Sequence, residues 1–536
     1  MQQLRQSMSW AHTWTGLLLG WVLYFMFLTG STGYYDREID RWTQPEHPAP
    51  VEIMNTATAF EAAIDKTLTD HPNASEFYVF LPGGRSAYPF VRVFGSEKNS
   101  EGKTERFDVQ LFEDGTPIPE ARDTTGGQTL YSMHWTFHYV PRIAGELFAG
   151  LAAIFMFTAI VSGIITHKKI FVDFFTLRLA KGQRSWLDSH NVISVMTLPF
   201  QIMITFSGIL LVVTTFFLPI FVAQYGYDEN TTQTVAEEVY NIKPPKEPTG
   251  VLAERVAIAP LVARFEEAFP DEPLQGLLLK NPGDAVSEVQ LSGAITHSIL
   301  RETPSLTFDA ATGELIDTHE RRVDSSMAVT NVLEGLHEGL FAGPVLRILY
   351  FGSGLLGAGM VATGLVLWTK KRRQKLRGDE KAERNLLIIE RMNVGVVAGL
   401  PIAIAGFFYA NRLLPLGMDA RAEWEIHVLF LTWLAVLIHS LARKPSAAWT
   451  EQLTAASAVY VFLPILNILT TSKHLGATLP LPWRAGDFEL AGVDLWFLVI
   501  GAGFAYAAQV SRKKQALPKK SVVRPSPINA AGAPAE

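Results

Sequence analysis

Between Glu146 and His167 the chain runs for twenty residues without a charge. As a helix that run is about 30 Å long, the thickness of a bilayer's hydrocarbon core, where every backbone amide must be bonded within its own segment. One such run commits the chain to a membrane. Others follow, because 48% of the 536 residues are apolar and they come in blocks rather than evenly scattered. The pattern predicts a polytopic α-helical membrane protein of about eight spans, at roughly 1–36, 141–167, 190–222, 344–369, 392–411, 424–442, 453–472 and 493–511.

Two polar stretches, 37–133 and 223–336, separate the early spans. The first reads as a short helix at 60–64 and strands at 76–81, 88–94 and 106–112, closed by the turn Asp114-Gly115. The second repeats it in kind, with a helix at 261–269, strands at 274–280, 287–291 and 305–309, and the turn Thr312-Gly313. Each is expected to fold as a small α+β domain of its own. The remaining divisions are 134–222 and 337–370 for spans two to four, a basic loop at 371–391, spans five to eight within 392–511, and a disordered tail at 512–536.

Orientation follows from the basic residues near the spans. There are five in 168–184, nine in 370–391, two in 443–444 and six in 512–524, against two in each short loop after spans five and seven. Both termini are therefore expected in the cytoplasm and both polar domains outside. The chain has no cysteine, which excludes thiolate-ligated clusters, thioether-attached haem and disulfides. Histidine remains the residue for metal or haem.

The histidines fall on a repeat. His12 precedes Thr29-Gly30 by seventeen residues, and His190 precedes Ser207-Gly208 by seventeen; His134 lies seven before Pro141, and His337 seven before Pro344. Ser162-Gly163-Ile164 in span two answers Thr363-Gly364-Leu365 in span four. A duplicated four-helix core of this kind packs about a pseudo-two-fold axis along the membrane normal. On that axis His12 faces His190 at the cytoplasmic level, and His134 faces His337 at the outer level. Two facing imidazoles at each level would supply both axial ligands of a b-type haem, so two haems are expected.

Other histidines compete. His138 shares a helical face with His134, and His167 sits at the inner end of span two. His427 and His439 lie twelve residues apart on span six, about 18 Å along a helix. Against all of these stands the bland alternative of an interfacial imidazole satisfied by a local hydrogen bond. His47, His71, His297, His319 and His474 fall in polar loops and are expected in solvent. The run Gly352-Ser353-Gly354-Leu355-Leu356-Gly357 fits a dinucleotide fingerprint in letters only, because it lies inside span four with no strand before it. No nucleotide domain is read anywhere, and no nucleic acid is expected as a partner.

The motifs His12-Thr13-Trp14-Thr15-Gly16, Gly163-Ile164-Ile165-Thr166-His167-Lys168-Lys169, Asp173-Phe174-Phe175, Leu187-Asp188-Ser189-His190-Asn191 and Thr363-Gly364-Leu365 resemble the PepSY-associated transmembrane helix family over residues 1–375. Glu390-Arg391-Met392-Asn393 and Ala410-Asn411-Arg412-Leu413-Leu414-Pro415 resemble the C-terminal extension of its longer members. The resemblance implies PepSY-like periplasmic domains on the bacterial inner membrane, and reduction of Fe(III)-siderophore through haem to release Fe(II). The electron donor is then a quinol or a cytoplasmic reductase. Arg85, Arg92, Arg106, Arg142 and Arg347 are candidates to hold an anionic chelate. Rival readings are a permease for the iron chelate and a PepSY binding or sensory anchor without redox chemistry.

Overall fold

The computed structural model describes residues 2–516 except 51, 84–88, 99–102, 168–173, 175–182, 227–233, 235–245, 322–325, 377 and 483–485. Most of the basic loop at 168–184, the tail from 517 and Arg85 lie outside the described residues.

From the N-terminus, α1 (Gln2–Leu18) and α2 (Gly20–Thr32) meet at a 63° bend. Then come α3 (Asp36–Thr43), α4 (Thr56–Asp70), β1 (Ala74–Phe80), β2 (Val91–Lys98), β3 (Thr104–Leu111), α5 (Gly126–Thr136) and α6 (Arg142–Thr166). The next stretch has a similar order of elements. There α7 (Gln183–Met196) and α8 (Leu198–Leu211) meet at 69°, followed by α9 (Val213–Tyr225) and α10 (Ile258–Ala268). Four strands come next, β4 (Leu274–Lys280), β5 (Glu288–Gly293), β6 (Ser305–Asp309) and β7 (Leu315–His319), then α11 (Ser326–Glu338) and α12 (Pro344–Lys375). The C-terminal part is α13 (Glu380–Val397), α14 (Gly399–Leu413), α15 (Arg421–Ala442), α16 (Pro445–Thr470), the single turn α17 (Leu475–Thr478) and α18 (Phe488–Ala516).

Among the described residues six helices are long and apolar enough to cross a bilayer, α13 and α14 counting as one, and each bent pair would add a span. The chain is a multi-pass membrane protein whose apolar helix faces meet lipid. The first and third spans differ from the single helices expected. Each breaks seven residues after its histidine, at Leu19 and at Thr197, where the backbone leaves helical ψ. Pro199, in the first turn of α8, has no amide to give the preceding helix. At the first break Gly20 lets α2 start against α12, since a Cβ there would meet Leu365 Cδ2 at 2.8 Å.

The two polar regions are not separate domains. Their strands join in one antiparallel sheet of order β3-β2-β1-β4-β5-β6-β7, with β1 and β4 forming the seam in the register Phe77↔Leu279 and Val79↔Leu277. Either three- or four-stranded half alone would leave a long apolar edge with unpaired amides, and each half covers the other's. On one face, α4 and α10 set Phe60, Ile64, Leu261 and Phe265 against Phe77, Val79, Leu277 and Val289, all buried. This face holds the core of the polar part, while α5 packs on α2, α3 and α6, and α11 packs on α8.

The glycine run in α12 serves helix packing. A Cβ at Gly354 would run into Ser31 Oγ, and one at Gly357 would meet Phe27 of α2 at 2.7 Å. The C-terminal helices clasp α2 and α3: Trp21 Nε1 donates to Asn393 Oδ1 (2.7 Å), Tyr24 donates to Val397 O (2.7 Å), and buried Trp42 donates to Asp494 Oδ1 (2.9 Å) beneath the Arg412 guanidinium.

Candidate functional site

Four histidines from four different helices come together in two couples. On the sheet side, His134 of α5 and His337 of α11 have ring centroids 6.4 Å apart and planes inclined by 16°. At the other end of the core, His12 of α1 and His190 of α7 stand 6.2 Å apart, inclined by 66°. These are the couples expected from the repeat.

Each ring is oriented by a bond at Nδ1. His12 Nδ1 donates to Ala159 O (2.8 Å) and His190 Nδ1 to Met360 O (2.9 Å), carbonyls four residues before Gly163 and Gly364. His134 Nδ1 donates to Tyr131 O within its own helix. His337 Nδ1 lies 2.9 Å from Ser207 Oγ, whose proton already goes to Met203 O (2.6 Å), so the hydroxyl oxygen accepts the imidazole N–H. In all four rings Nδ1 carries the proton and Nε2 keeps its lone pair, the tautomer a metal needs.

Glycines floor the rings. A Cβ would sit 3.1 Å from His12 Cε1 at Gly163, 3.3 Å from His190 Cε1 at Gly364, 3.1 Å from His337 Cε1 at Gly208 and 3.3 Å from the His134 ring at Gly30. The repeated Gly30, Gly163, Gly208 and Gly364 therefore each admit one imidazole to the helix interior. Their place in the repeat was legible, but their contact with the rings carried no sequence signal.

The spacing can be tested against haem. Two metal–nitrogen bonds of about 2 Å, plus about 1 Å from each bonded nitrogen to its ring centre, set centroids about 6 Å apart across one iron. Both couples meet that. A cavity of about 640 Å³ opens beside His134 and His337, floored by Gly30 and Gly208 and walled by Met26, Phe27 and Met156, with Arg37, Arg142 and Arg301 among its polar residues. Such a volume suits a planar macrocycle, with guanidinium groups near for carboxylates.

The competing histidines are placed otherwise. The chain leaves α5 at Phe137, whose φ of 53° is left-handed, so His138 is off the helix and does not share the face of His134. Its ring stacks on Phe430 at 6.1 Å. His427 Nδ1 takes the Tyr139 hydroxyl. His439 spends Nε2 on Glu451 (3.0 Å) and lies near Gln452 through Nδ1. His167 is the C-cap residue of α6, one turn beyond Gly163. Among the loop histidines, His71 bonds Glu97 (2.9 Å) and stacks on Phe107, and His319 bonds Glu302 (2.8 Å), so neither is simply solvated.

The arginines expected to meet an anionic chelate are mostly committed to carboxylates. Arg347 of α12 bonds Glu38 and Tyr34 O, and Arg92 bonds Asp108. Arg142 pairs with Glu146 (2.8 Å) and lies over Trp135. Arg106 is exposed on β3. Sequence reasoning missed the buried group at the start of α5. Arg421 and Glu425 of α15, fully enclosed, form an ion pair at 2.8 Å, and Glu425 also accepts from Thr124 Oγ1 (2.6 Å) and Asn411 Nδ2 (2.8 Å). Only the i, i+4 spacing of Arg421 and Glu425 hints at it.

A model of the PepSY-associated TM region family matches residues 9–371, a stretch that contains all four paired histidines. A comparison with curated proteins gave no match.

Proposed function

The chain belongs to the PepSY-associated TM region family, and from that premise we propose that it is a dihaem electron-transfer protein of the bacterial inner membrane that reduces Fe(III)-siderophore to release Fe(II). The observation that carries this reading is the centroid spacing of the two couples, 6.4 Å and 6.2 Å, with every Nδ1 engaged.

His134 and His337 would hold one haem and His12 and His190 the other; bound there, haem supplies a carrier for one electron at a time. The protein's own work is positional. Donation of Nδ1–H, to a carbonyl from His12, His134 and His190 and to the Ser207 hydroxyl from His337, fixes each ring and makes Nε2 a stronger base. The glycine floors bring the helices close enough to keep water from the rings. Placing one couple near each end of the core provides two stations along the membrane normal. The substrate is suited to such a device, because hard oxygen donors hold Fe(III) better than Fe(II), so one electron loosens the chelate. The basic residues of 370–391 support a cytoplasmic side for the ends of α12 and α13, with the sheet in the periplasm.

The test is absorption and low-temperature magnetic resonance of protein purified from haem-replete cells. Wild type should hold two low-spin centres, and alanine at His12, His134, His190 or His337 should remove or convert only the centre of its own couple. A colourless wild type, or four variants with unchanged spectra, would overturn the proposal. Orientation has its own check. A cysteine introduced at exposed Leu315 of this cysteine-free chain should react with an impermeant maleimide on spheroplasts; labelling only after lysis would reverse the topology.

A further inference from the structure

A third group of imidazoles gathers outside both couples, where the link from α5 to α6 meets α15. The left-handed turn at Phe137 carries His138 and Tyr139 off α5 and against that helix. The Tyr139 hydroxyl donates to His427 Nδ1, with the two rings 5.8 Å apart, and the His138 ring lies 4.4 Å from the same phenol. Phe430 stacks on His138 at 6.1 Å and lies 5.0 Å from Tyr139, while Trp424 sets its ring 5.2 Å from His427. His427 stands six residues from the start of α15, about 9 Å along the helix. The group therefore lies near the sheet-side edge of the apolar layer, with Tyr139 and Trp424 exposed toward lipid. Aromatic rings are ordinary at that depth. Two imidazoles with nitrogens left unspent among them are not.

The two rings offer complementary groups. Because Tyr139 donates to Nδ1, His427 carries its proton on Nε2, and among the described residues that N–H has no partner. The His138 ring makes no hydrogen bond to any described residue. Burial and then His427 push its pKa down, against the pull of Glu423, so at neutral pH it is a base. With the phenol between them, the acceptor and the donor are at most about 10 Å apart. A quinol head group has its two oxygens about 5 Å apart, and with a hydrogen bond of about 2.9 Å at each it spans about 11 Å. Its flat ring suits the faces of Phe430 and Trp424, and its tail suits the lipid beside them. The place is also close to a redox station. Four residues of chain hold the Cα of His138 within about 14 Å of that of His134. Aromatic rings close the gap from the other side, Phe430 to Trp433 at 6.3 Å, Trp433 to Phe25 at 5.7 Å and Phe25 to Phe137 at 5.9 Å.

We propose that His138 and His427, joined through Tyr139 and walled by Phe430 and Trp424, form a lipid-facing site for a quinol that feeds electrons to the sheet-side couple. The proposal rests on the reading of the chain as a dihaem electron-transfer protein. Oxidation of one quinol to the quinone breaks two O–H bonds and releases two electrons and two protons. The electrons go singly, one to each of the two stations, which gives a second couple a use even when the donor enters on the sheet side. Each proton passes from a quinol hydroxyl to His138 and out by the exposed carboxylate of Glu423, returning His138 to its neutral form for the next. His427 Nε2–H holds the other oxygen throughout, as a hydroxyl and then as a carbonyl.

The probe is the naphthoquinol menadiol, mixed anaerobically with oxidised full-length protein while the haem bands are followed. Wild type should be reduced at a rate that saturates with menadiol. His138→Ala and His427→Ala should slow that reduction about tenfold or more, although dithionite still reduces both fully and their low-spin spectra match wild type. His427→Gln keeps an N–H to give and should recover most of the rate, which a merely structural role for His427 would not allow. A second measurement needs no haem. An azido-naphthoquinone, photolysed with the protein in detergent, should label the peptides holding residues 138–140 or 424–430, and excess menadiol should abolish that label. Wild-type haem that yields to dithionite but not to menadiol, alanine variants reduced at the wild-type rate, or a label elsewhere would each overturn the proposal. A colourless protein still labelled at these peptides would sink only the dihaem reading, and a coloured protein deaf to menadiol would sink only the quinol site.

Discussion

Ser207 shows how much one hydroxyl can govern. It donates to Met203 O and accepts from His337 Nδ1, so its oxygen fixes both the tautomer and the tilt of the ring. Ser207→Ala should cost about 1 kcal/mol in stability, the net worth of one hydrogen bond. It should also leave Nε2 a weaker base, moving the sheet-side centre to a more positive midpoint potential while the His12–His190 centre stays put; a redox titration that shifts both or neither would contradict this. Asp40 governs by titration. Burial first, then the Asp36 carboxylate, push its pKa up to about 7, against the pull of Arg37 and of the Gly127 and Gln128 amides. A carboxyl that binds its proton more tightly folded than unfolded stabilises fully below about pH 4 and loses that contribution as pH rises through about 7. Thermal midpoints in detergent should therefore fall across that window more steeply in wild type than in Asp40→Asn. Parallel slopes would show that Asp40 does not titrate there.

At the scale of the element, α5 decides whether the sheet-side couple exists. It is a short helix of eleven residues, and its start is held by carboxylates from two directions. Asp40 accepts from Gly127 N (2.7 Å), at a turn where Gly126 takes a φ of 63°, and Glu425 takes the Thr124 hydroxyl and, at 3.3 Å, Thr125 N. Both carboxyl groups sit where the helix presents unpaired amides. Glu425→Ala would strand the enclosed Arg421, and breaking such a pair costs about 3–5 kcal/mol. The expected signature is local: on heating, the sheet-side centre of that variant should be lost well before the inner one, whereas loss of both together would deny α5 this dependence. This also explains what was legible. The couples followed from histidine spacing, because a repeat keeps its ligand positions in register. The clamp did not, since Glu425 and Thr124 are 301 residues apart and no local pattern links them. Nor did the breaks after Leu19 and Thr197, where hydropathy runs unbroken through a change of direction.

For the whole molecule the seam matters most, because the sheet joins halves that the chain makes separately. The two edge strands, β3 and β7, lie six inter-strand steps apart, about 29 Å, and each hands the chain to one histidine-bearing helix. From those distant edges α5 and α11 return to bring His134 and His337 within 6.4 Å. The inner couple has no such tether; it is set by α1 against α6 and α7 against α12, within the membrane core. The sheet is thus a spacer for one couple only. Proline at Leu278 tests this, since β4 is paired on both sides and any of its amides serves β1 or β5. Losing a ladder bond in a central strand should loosen the seam. Leu278→Pro should broaden or remove the sheet-side low-spin signal and leave the His12–His190 signal as in wild type. If the inner signal changed equally, the two couples would have to be regarded as one cooperative unit, and the sheet as a cap that bears on neither in particular.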